Sequence, residues 1–230
     1  MPKVSSPEAG ISLTGETFRK LTHLLALMMP LLTLFLGTTI AISIMVPLSL
    51  LAIVADFFRV RYEIVKRLVE RTFGFTMRDY EKPPIGGSMI LNGATWTMMA
   101  FTILLLVFET GIAITVFSMC MIGDAAAAMI GRRIGKHSWG RKGCTIEGSM
   151  AYLVFGLVTA IAIAGGEMFS WTVYSYPVVS LAVATVAAMI GEVAPLPLDD
   201  NLAAPLGSAI VMAIVLQFVY GIPLEYFPVF

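Results

Sequence analysis

An aspartate inside a run of small residues is the first feature of this sequence that could do chemistry. Asp124 follows a long apolar stretch and precedes four alanines, Gly131, Arg132 and Arg133. A carboxylate at the edge of an apolar segment is costly unless it is used, and it can bind a hard cation such as Mg²⁺. The arginines can hold phosphate, and the small residues let a ligand approach closely. The alternative, a helix-packing surface in which Asp124 pairs with a neighbouring arginine, is the weaker interpretation.

Arg19, Lys20 and His23 form a second cluster, at the start of the first apolar run. In a helix, Arg19 and His23 are four residues apart and therefore share a face. Two cations alone would be interpreted as anchors that extend to a membrane interface. A histidine one turn into an apolar helix favours a function, as a general base or as an orienting hydrogen-bond donor.

Glycines and basic residues form a loop at 135–144, directly after the arginines. The glycine–lysine pair at its start is not a phosphate-binding P-loop, because Ile130 stands where that motif requires another glycine. The loop could still form a cradle for a polyphosphate, to which Lys136 and Lys142 would contribute charge. For Thr145, which follows the loop, the alternative is that it simply starts the next helix.

Acidic residues form a fourth cluster, in the connection 192–201. Glu192, Asp199 and Asp200 are carboxylates in a short segment, which suggests metal coordination or charge pairing. Asp200 or Asn201 could instead cap the helix that follows. For Asp199, spacing alone does not distinguish capping or exposure to solvent from a function.

The composition of the chain places these clusters in a membrane protein. It has 230 residues, of which 58% are hydrophobic and 13% charged, with a mean hydropathy of +0.87 and no net charge. Soluble domains have about 25% charged residues. This chain has too few charged residues to cover its apolar core with polar surface, so lipid must cover that core instead. Cys120 and Cys144 are expected to be free thiols. No cleaved signal peptide is expected, because mostly polar residues precede the first apolar run.

Apolar runs that can cross a bilayer predict an all-α membrane protein, a bundle of about seven transmembrane helices. The predicted spans are residues 21–37, 38–55, 93–108, 111–130, 147–164, 171–190 and 203–221. A single transmembrane catalytic domain, residues 19–222, would lie between an N-terminal cytoplasmic segment, 1–18, and a short external tail, 223–230. Residues 57–71 have apolar side chains at helical spacing with basic residues between them, which predicts one amphipathic helix on the membrane surface.

The distribution of charge predicts the orientation. If the N-terminus is cytoplasmic and the chain crosses as predicted, all 15 Lys and Arg residues fall on the cytoplasmic side, as the positive-inside rule requires. The external turns then carry only Glu109 and Glu167, and the tail carries Glu225. The four clusters therefore share the cytoplasmic side, where they would form the active site, and the C-terminus lies on the opposite side.

Taken in order, these motifs resemble those of a known family. The motifs Arg19-Lys20-x-x-His23, Gly123-Asp124 with Gly131-Arg132, Glu147-Gly148-Ser149, and Glu192 with Asp200-Asn201 and Pro205 are similar to motifs of the dolichol kinase, phytol kinase and CTP-dependent diacylglycerol kinase family. The stretch Gly93-Ala94-Thr95-Trp96 resembles the start of that family's third span, so the resemblance covers nearly all of residues 19–215. Two positions depart from the pattern: Cys144 replaces a frequent lysine, with Lys142 the nearest one, and Ala125 replaces a frequent threonine.

The resemblance implies a lipid kinase at the cytoplasmic leaflet. Such an enzyme transfers the terminal phosphate of a nucleoside triphosphate, usually CTP, to the hydroxyl of a polyprenol, dolichol, phytol or diacylglycerol. Phosphoryl transfer depends mainly on positioning and charge neutralisation. We therefore expect Asp124, with Glu192 or Asp200, to bind Mg²⁺ or another divalent cation, and His23 to act as a base or an orienting donor. The residues expected to bind the nucleotide or its phosphates are Arg19, Lys20, Gly123, Gly131, Arg132, Arg133, Lys136, Lys142, Glu147, Gly148 and Asn201.

Two other classes of protein compete with this interpretation. A membrane cytidylyltransferase would also use CTP but would release pyrophosphate, and the dense Arg/Lys/Asp signature of that group near the C-terminus is absent from the sequence. A small transporter would place polar residues at the middle of the bilayer and show internal repeats, whereas these clusters lie at one border. No nucleic-acid partner is expected, and the sequence leaves the oligomeric state open.

Overall fold

The computed structural model describes residues 24–74, 77, 81–140, 143–166, 172–224 and 226. Within these residues the protein is all-α, as predicted, and has eight α-helices. The helices are α1 (Met28–Leu36), α2 (Thr38–Arg59), α3 (Glu63–Phe73), α4 (Gly93–Val107), α5 (Thr110–Ile134), α6 (Ile146–Ala164), α7 (Val178–Val193) and α8 (Asp200–Ile214). A π-helical turn, Val215–Val219, continues α8.

Four of the described helices are long and apolar enough to cross a membrane: α2, α5, α6, and α8 together with its π-helical turn. Helices α4 and α7 are apolar but have only 15 and 16 residues. They extend about 22–24 Å, less than the roughly 30 Å of hydrocarbon in a bilayer. The structure thus supports a multi-pass membrane protein with four long candidate spans, while the count of seven spans stays a prediction.

Helix α5 lies at the centre of the bundle. Every residue in 111–121 is buried, so the helix is enclosed on all sides rather than along one face. Phe117 packs on Phe101 of α4, with ring centroids 4.7 Å apart. A mainly apolar helix that is buried on every side forms the core of a bundle. The outer helices instead expose large apolar side chains, among them Leu51 of α2 and Val158 of α6, which lipid can cover.

Polar side chains define where two of the helices begin. Asn92 caps α4, because its Oδ1 atom accepts a hydrogen bond from the Thr95 N–H at 3.0 Å. Thr145 caps α6, because its Oγ1 atom accepts from the Gly148 N–H at 3.1 Å. Thr145 therefore starts a helix, the simpler of the two roles considered for it.

The amphipathic segment predicted at 57–71 is divided between two helices. Residues up to Arg59 continue α2, the chain turns at 60–62, and α3 follows. The predicted boundary is wrong because Arg59 is not a surface cation: it is 2% exposed and pairs with Asp56 one turn earlier. Helix α3 keeps the amphipathic character, has no buried residue and exposes 81% of Ile64.

Candidate functional site

A pocket among helices α5, α6, α7 and α8 contains acidic residues from two separate clusters of the sequence. It is lined by Cys120, Met121, Asp124, Tyr152, Glu192, Asp200, Asn201, Ala204 and Pro205. Asp124 lies on α5, Glu192 in the last turn of α7, and Asp200 at the first position of α8. The three carboxylates predicted to bind a metal ion therefore line one pocket.

Close packing of α7 against α8 brings Glu192 and Asp200 to this pocket. A Cβ atom at Gly191, the residue before Glu192, would lie 2.8 Å from the Cα atom of Ala204. A larger residue at this position would therefore push the two helices apart. Only the short connection 194–199 joins them, so the end of α7 and the start of α8 stay side by side.

Asp199, rather than Asp200 or Asn201, caps α8. Its Oδ1 atom accepts hydrogen bonds from the Asn201 N–H at 3.0 Å and from the Asn201 side-chain amide at 2.7 Å. Of the capping alternatives left open by the sequence, the one for Asp199 is confirmed and those for Asp200 and Asn201 are wrong, because the helix begins one turn earlier than the predicted span at residue 203. Asp200 occupies the first helical position and lines the pocket.

The lining contains carboxylate oxygens, the type of ligand that a divalent cation prefers, but the carboxylates do not form a complete metal-binding shell by themselves. Among the residues that the structure describes, no three His, Cys, Asp or Glu side chains lie close enough together to hold a metal ion. Mg²⁺ at nucleotide sites typically uses one or two carboxylates, several waters and the phosphates of the substrate. Two of the pocket carboxylates would be enough for that mode of binding, and the divalent cation stays a prediction.

Tyr152 of α6 is a pocket residue that the sequence motifs did not indicate. Its side chain is 1% exposed, and its ring lies against Gly123, where a Cβ atom would come within 2.9 Å of two ring carbons. Gly123, predicted to contact the nucleotide, thus makes room for this ring beside Asp124. A polar aromatic residue inside an apolar span is the signal that could have pointed to Tyr152.

Two other glycines of the predicted nucleotide site hold α5 against α6. A Cβ atom at Gly148 would lie 3.0 Å from the carbonyl oxygen of Ala127 and 3.3 Å from the Cα atom of Gly131. Helix backbones approach this closely only where both sides are small. Gly131 and Gly148 therefore have a packing role, and their contact with phosphate stays a prediction. Arg132 and Arg133 are exposed in the last turn of α5, beside this crossing.

The basic loop after α5 folds back on the start of α6. His137 pairs with Glu147, with 2.7 Å between Nδ1 and Oε1. The indole N–H of Trp139 donates to the hydroxyl of Ser149 at 3.0 Å. Glu147, predicted to bind the nucleotide, is therefore engaged by the loop, whereas Lys136 in the same loop is exposed.

The tip of this loop contacts the end of α7. Gly140 has a φ of +63°, which favours glycine, and a Cβ atom there would clash with the side chain of Val193. Val193 follows Glu192 directly. The tip of the basic loop thus lies beside the end of α7 that carries Glu192.

A buried polar cluster, which the motifs also did not indicate, fixes the segment before α4. Asp56 is fully buried and accepts hydrogen bonds from the Asn92 N–H at 2.9 Å, the Asn92 side chain at 2.9 Å and the Thr95 hydroxyl at 2.7 Å. Arg59 pairs with Asp56 at 2.7 Å and donates to the carbonyl oxygen of Glu81 at 2.5 Å. Both charges therefore have the partners that a buried ion pair requires.

This polar cluster is connected to the pocket through Gly93, which follows Asn92. A Cβ atom at Gly93 would lie 3.6 Å from the side-chain nitrogen of Asn201 and 3.7 Å from the Oε1 atom of Glu81. Glu81 is itself buried. Because Asn201 lines the pocket, the start of α4 lies directly behind this part of the pocket lining.

The remaining predicted site residues lie outside the described part of the chain; they are Arg19, Lys20, His23 and Lys142. Their predicted contacts with the nucleotide, and the role of the histidine as a base, stay predictions. The described site comprises the carboxylates and their surroundings, without the N-terminal cluster.

Comparison with known proteins gives a distant relative of undescribed activity. The chain is 24% identical over 193 residues to an uncharacterized protein of Rickettsia prowazekii (strain Madrid E), and the alignment covers 83% of this chain and 90% of the relative. No protein family model matches the chain. No solved structure matches it either. The function therefore has to be argued from the pocket and the motifs that form it.

Proposed function

We propose that this protein is a membrane lipid kinase that transfers the γ-phosphate of CTP, or of another nucleoside triphosphate, to a lipid hydroxyl. The acceptor is an isoprenoid alcohol of polyprenol, dolichol or phytol type, or diacylglycerol. The observation that best supports this proposal is the shared pocket of Asp124, Glu192 and Asp200. These residues come from three helices, and Asp124 is far in the sequence from Glu192 and Asp200, yet each belongs to a motif that resembles the lipid kinase family.

The charges around the pocket suit a triphosphate with a divalent cation. Arg132 and Arg133 follow Asp124 by about two turns of α5, or roughly 12–14 Å along the helix axis. A guanidinium group can bind two phosphate oxygens at once, whereas Lys136 offers a single point of charge. The carboxylates would hold the cation, which offsets the negative charge of the phosphates when it is bound.

The proposed reaction forms one bond and breaks one. The lipid oxygen attacks the γ-phosphorus, the bond from that phosphorus to the β–γ bridging oxygen breaks, and the nucleoside diphosphate leaves. The proton of the hydroxyl passes to a base, for which we propose His23. Because the protein takes little part in covalent chemistry, positioning by its carboxylates and arginines would supply most of the rate acceleration.

The pocket also has the apolar surface that a lipid acceptor requires. Met121, Ala204 and Pro205 line it together with the carboxylates. A lipid tail lying between helices could present its hydroxyl there without leaving the bilayer. We place this end of the bundle on the cytoplasmic side, where nucleotides are available and where the positive-inside rule puts Arg132 and Arg133.

Phosphate transfer by the purified protein tests the proposal. CTP and ATP, each labelled in the γ-phosphate, are incubated with Mg²⁺ and with polyprenol, phytol, geranylgeraniol or diacylglycerol in mixed micelles. We expect labelled lipid from CTP with one acceptor class, and none from micelles without the protein. Label from α-labelled CTP in the lipid, with release of pyrophosphate, would indicate a cytidylyltransferase instead. Absence of transfer from both donors to every acceptor would overturn the proposal.

A further inference from the structure

The hydroxyl of Tyr152 is a buried polar group in the pocket that packing does not explain. The residue lines the pocket and is 1% exposed. Its hydroxyl has no nitrogen or oxygen hydrogen-bond partner among the described residues, and its polar neighbour is the thiol of Cys120. A thiol is a weak donor and a weak acceptor. Burying a hydroxyl without a better partner is unfavourable, which indicates that a ligand completes its hydrogen bonding.

The ring that carries this hydroxyl has a defined position. It lies against α5 at Gly123, where a Cβ atom would meet three ring carbons at 2.9–3.0 Å. Cys120 is one turn earlier on the same helix, and Asp124 directly follows the glycine. A phenylalanine would fill the same volume, so the hydroxyl needs an explanation of its own.

We propose that the Tyr152 hydroxyl donates a hydrogen bond to an oxygen ligand of the divalent cation that the pocket carboxylates bind. Ionised carboxylates can only accept hydrogen bonds, so a pocket rich in them needs a donor to orient a water or a phosphate oxygen. The amide of Asn201 already donates to Asp199 at 2.7 Å. Tyr152 offers such a donor from α6, and it is a positioning residue that takes no proton from the substrate.

This inference rests on the cation site of the proposed function and is independent of the lipid acceptor. The test therefore measures binding of Mn²⁺ to the purified full chain. The electron paramagnetic resonance signal of unbound Mn²⁺ gives the concentration of the free ion at each point of the titration. Parent and Tyr152→Phe are titrated with and without CDP. We expect the substitution to weaken Mn²⁺ binding about tenfold, the loss typical of one charge-assisted hydrogen bond. If Tyr152→Phe weakens Mn²⁺ binding both with and without CDP, the oxygen ligand is a water. If it weakens Mn²⁺ binding only with CDP, the oxygen ligand belongs to a phosphate.

Thermal unfolding separates this role from a structural one. In EDTA, Tyr152→Phe should be at least as stable as the parent, since it removes a buried hydroxyl without a good partner. With Mn²⁺ present, the parent should gain more in Tm than the variant. The matched control is Tyr176→Phe, which removes a hydroxyl that donates to Glu109 at 3.4 Å near the start of α5 and should leave Mn²⁺ binding unchanged.

Equal Mn²⁺ affinities of parent and Tyr152→Phe in both titrations would overturn the inference, as would a parent that binds no Mn²⁺. A variant that loses stability in EDTA but keeps its affinity would also overturn it, in favour of a structural hydroxyl. If the parent binds Mn²⁺ through Tyr152 but transfers no phosphate to any lipid, the inference stands and the proposed lipid kinase activity fails.

Discussion

Gly191 and Ala204 are in backbone contact: a Cβ atom on the glycine would lie 2.8 Å from Cα and 3.2 Å from the nitrogen of Ala204. This contact holds the last turn of α7 against the first turns of α8. Glu192 and Asp200, which belong to those turns, reach one pocket as a consequence. The absence of a side chain at residue 191 therefore determines where two of the three carboxylates lie.

Replacing Gly191 with alanine should separate α7 from α8 and disturb the pocket. Overpacking of this kind costs about 1–3 kcal/mol, which lowers Tm by several degrees. We expect phosphate transfer to fall by about tenfold or more, because the carboxylates lose their relative positions. Thermal unfolding in detergent and the transfer assay measure the two effects.

Gly207→Ala is the matched control for this substitution. It lies on α8, where nothing is within 4 Å of the added Cβ atom. The higher helix propensity of alanine should leave stability unchanged or raise it by up to about 1 kcal/mol. Equal effects of the substitutions at Gly191 and Gly207 would contradict a role for the helix contact.

The buried pair of Asp56 and Arg59 should matter for stability far more than an exposed pair. Asp56→Ala leaves a buried guanidinium without its carboxylate, which typically costs about 3–5 kcal/mol. The double replacement Asp56→Leu with Arg59→Met should recover much of that loss, since apolar substitutes remove both charges together. Thermal unfolding of the single and double variants measures the difference.

The exposed pair of Glu63 and Arg67 on α3, 3.3 Å apart, provides the control. Glu63→Ala should change stability by about 0.5 kcal/mol or less, because water screens this pair. If Asp56→Ala lowers the stability no more than Glu63→Ala does, the buried network does not hold the segment before α4 in place.

Orientation in the membrane can be tested by labelling single cysteines from outside intact cells. In a background without Cys120 and Cys144, we expect no external labelling of Lys136→Cys or Leu198→Cys, which the positive-inside rule places in the cytoplasm. Val173→Cys, in the connection between α6 and α7, should be labelled. Leu198 and Val173 are 53% and 59% exposed, so access within the protein is similar. Strong external labelling at 136 or 198 would refute the one-sided site.

The N-terminal cluster gives a prediction about geometry rather than charge. If Arg19 binds phosphate oxygens through its planar fork, Arg19→Lys should reduce binding or rate by about ten- to a hundredfold. Membrane insertion should be unchanged. Arg71→Lys, at an exposed position in the last turn of α3, should be tolerated because either cation suits an interface. If the kinetics of Arg19→Lys equal those of the parent, Arg19 does not bind phosphate and serves only as an anchor at the membrane interface.

The carboxylates of the pocket could be predicted because charge is rare in this chain. With only 13% charged residues, an aspartate such as Asp124 at the edge of an apolar run stands out, and few uses justify its cost. That Asp124 and Glu192 line the same pocket could not be derived in this way. It depends on which helices pair and how they are rotated, and contacts such as that of Gly191 with Ala204 decide both.

Asp56 and Arg59 escaped prediction for a physical reason. They lie at the end of an apolar span, where cations ordinarily extend to the membrane interface. A buried arginine and an exposed one therefore give the same sequence pattern at this position. Gly131 shows the converse difficulty. A small residue such as Gly131 permits close approach either of a ligand or of a neighbouring helix. Only the structure, in which Gly148 of α6 lies beside Gly131, shows that a helix approaches here.

Phosphate transfer by Asp124→Asn tests the central claim most directly, because asparagine keeps the size and one oxygen of the aspartate but not its charge. If the pocket holds the divalent cation of a lipid kinase, the variant should remain monodisperse with a Tm near that of the parent. Its rate of transfer from γ-labelled CTP to the lipid should fall more than about a hundredfold, or roughly 2.7 kcal/mol in activation free energy. Near-normal turnover by the variant would contradict the claim. So would aggregation of the variant, which would assign Asp124 to a structural ion pair.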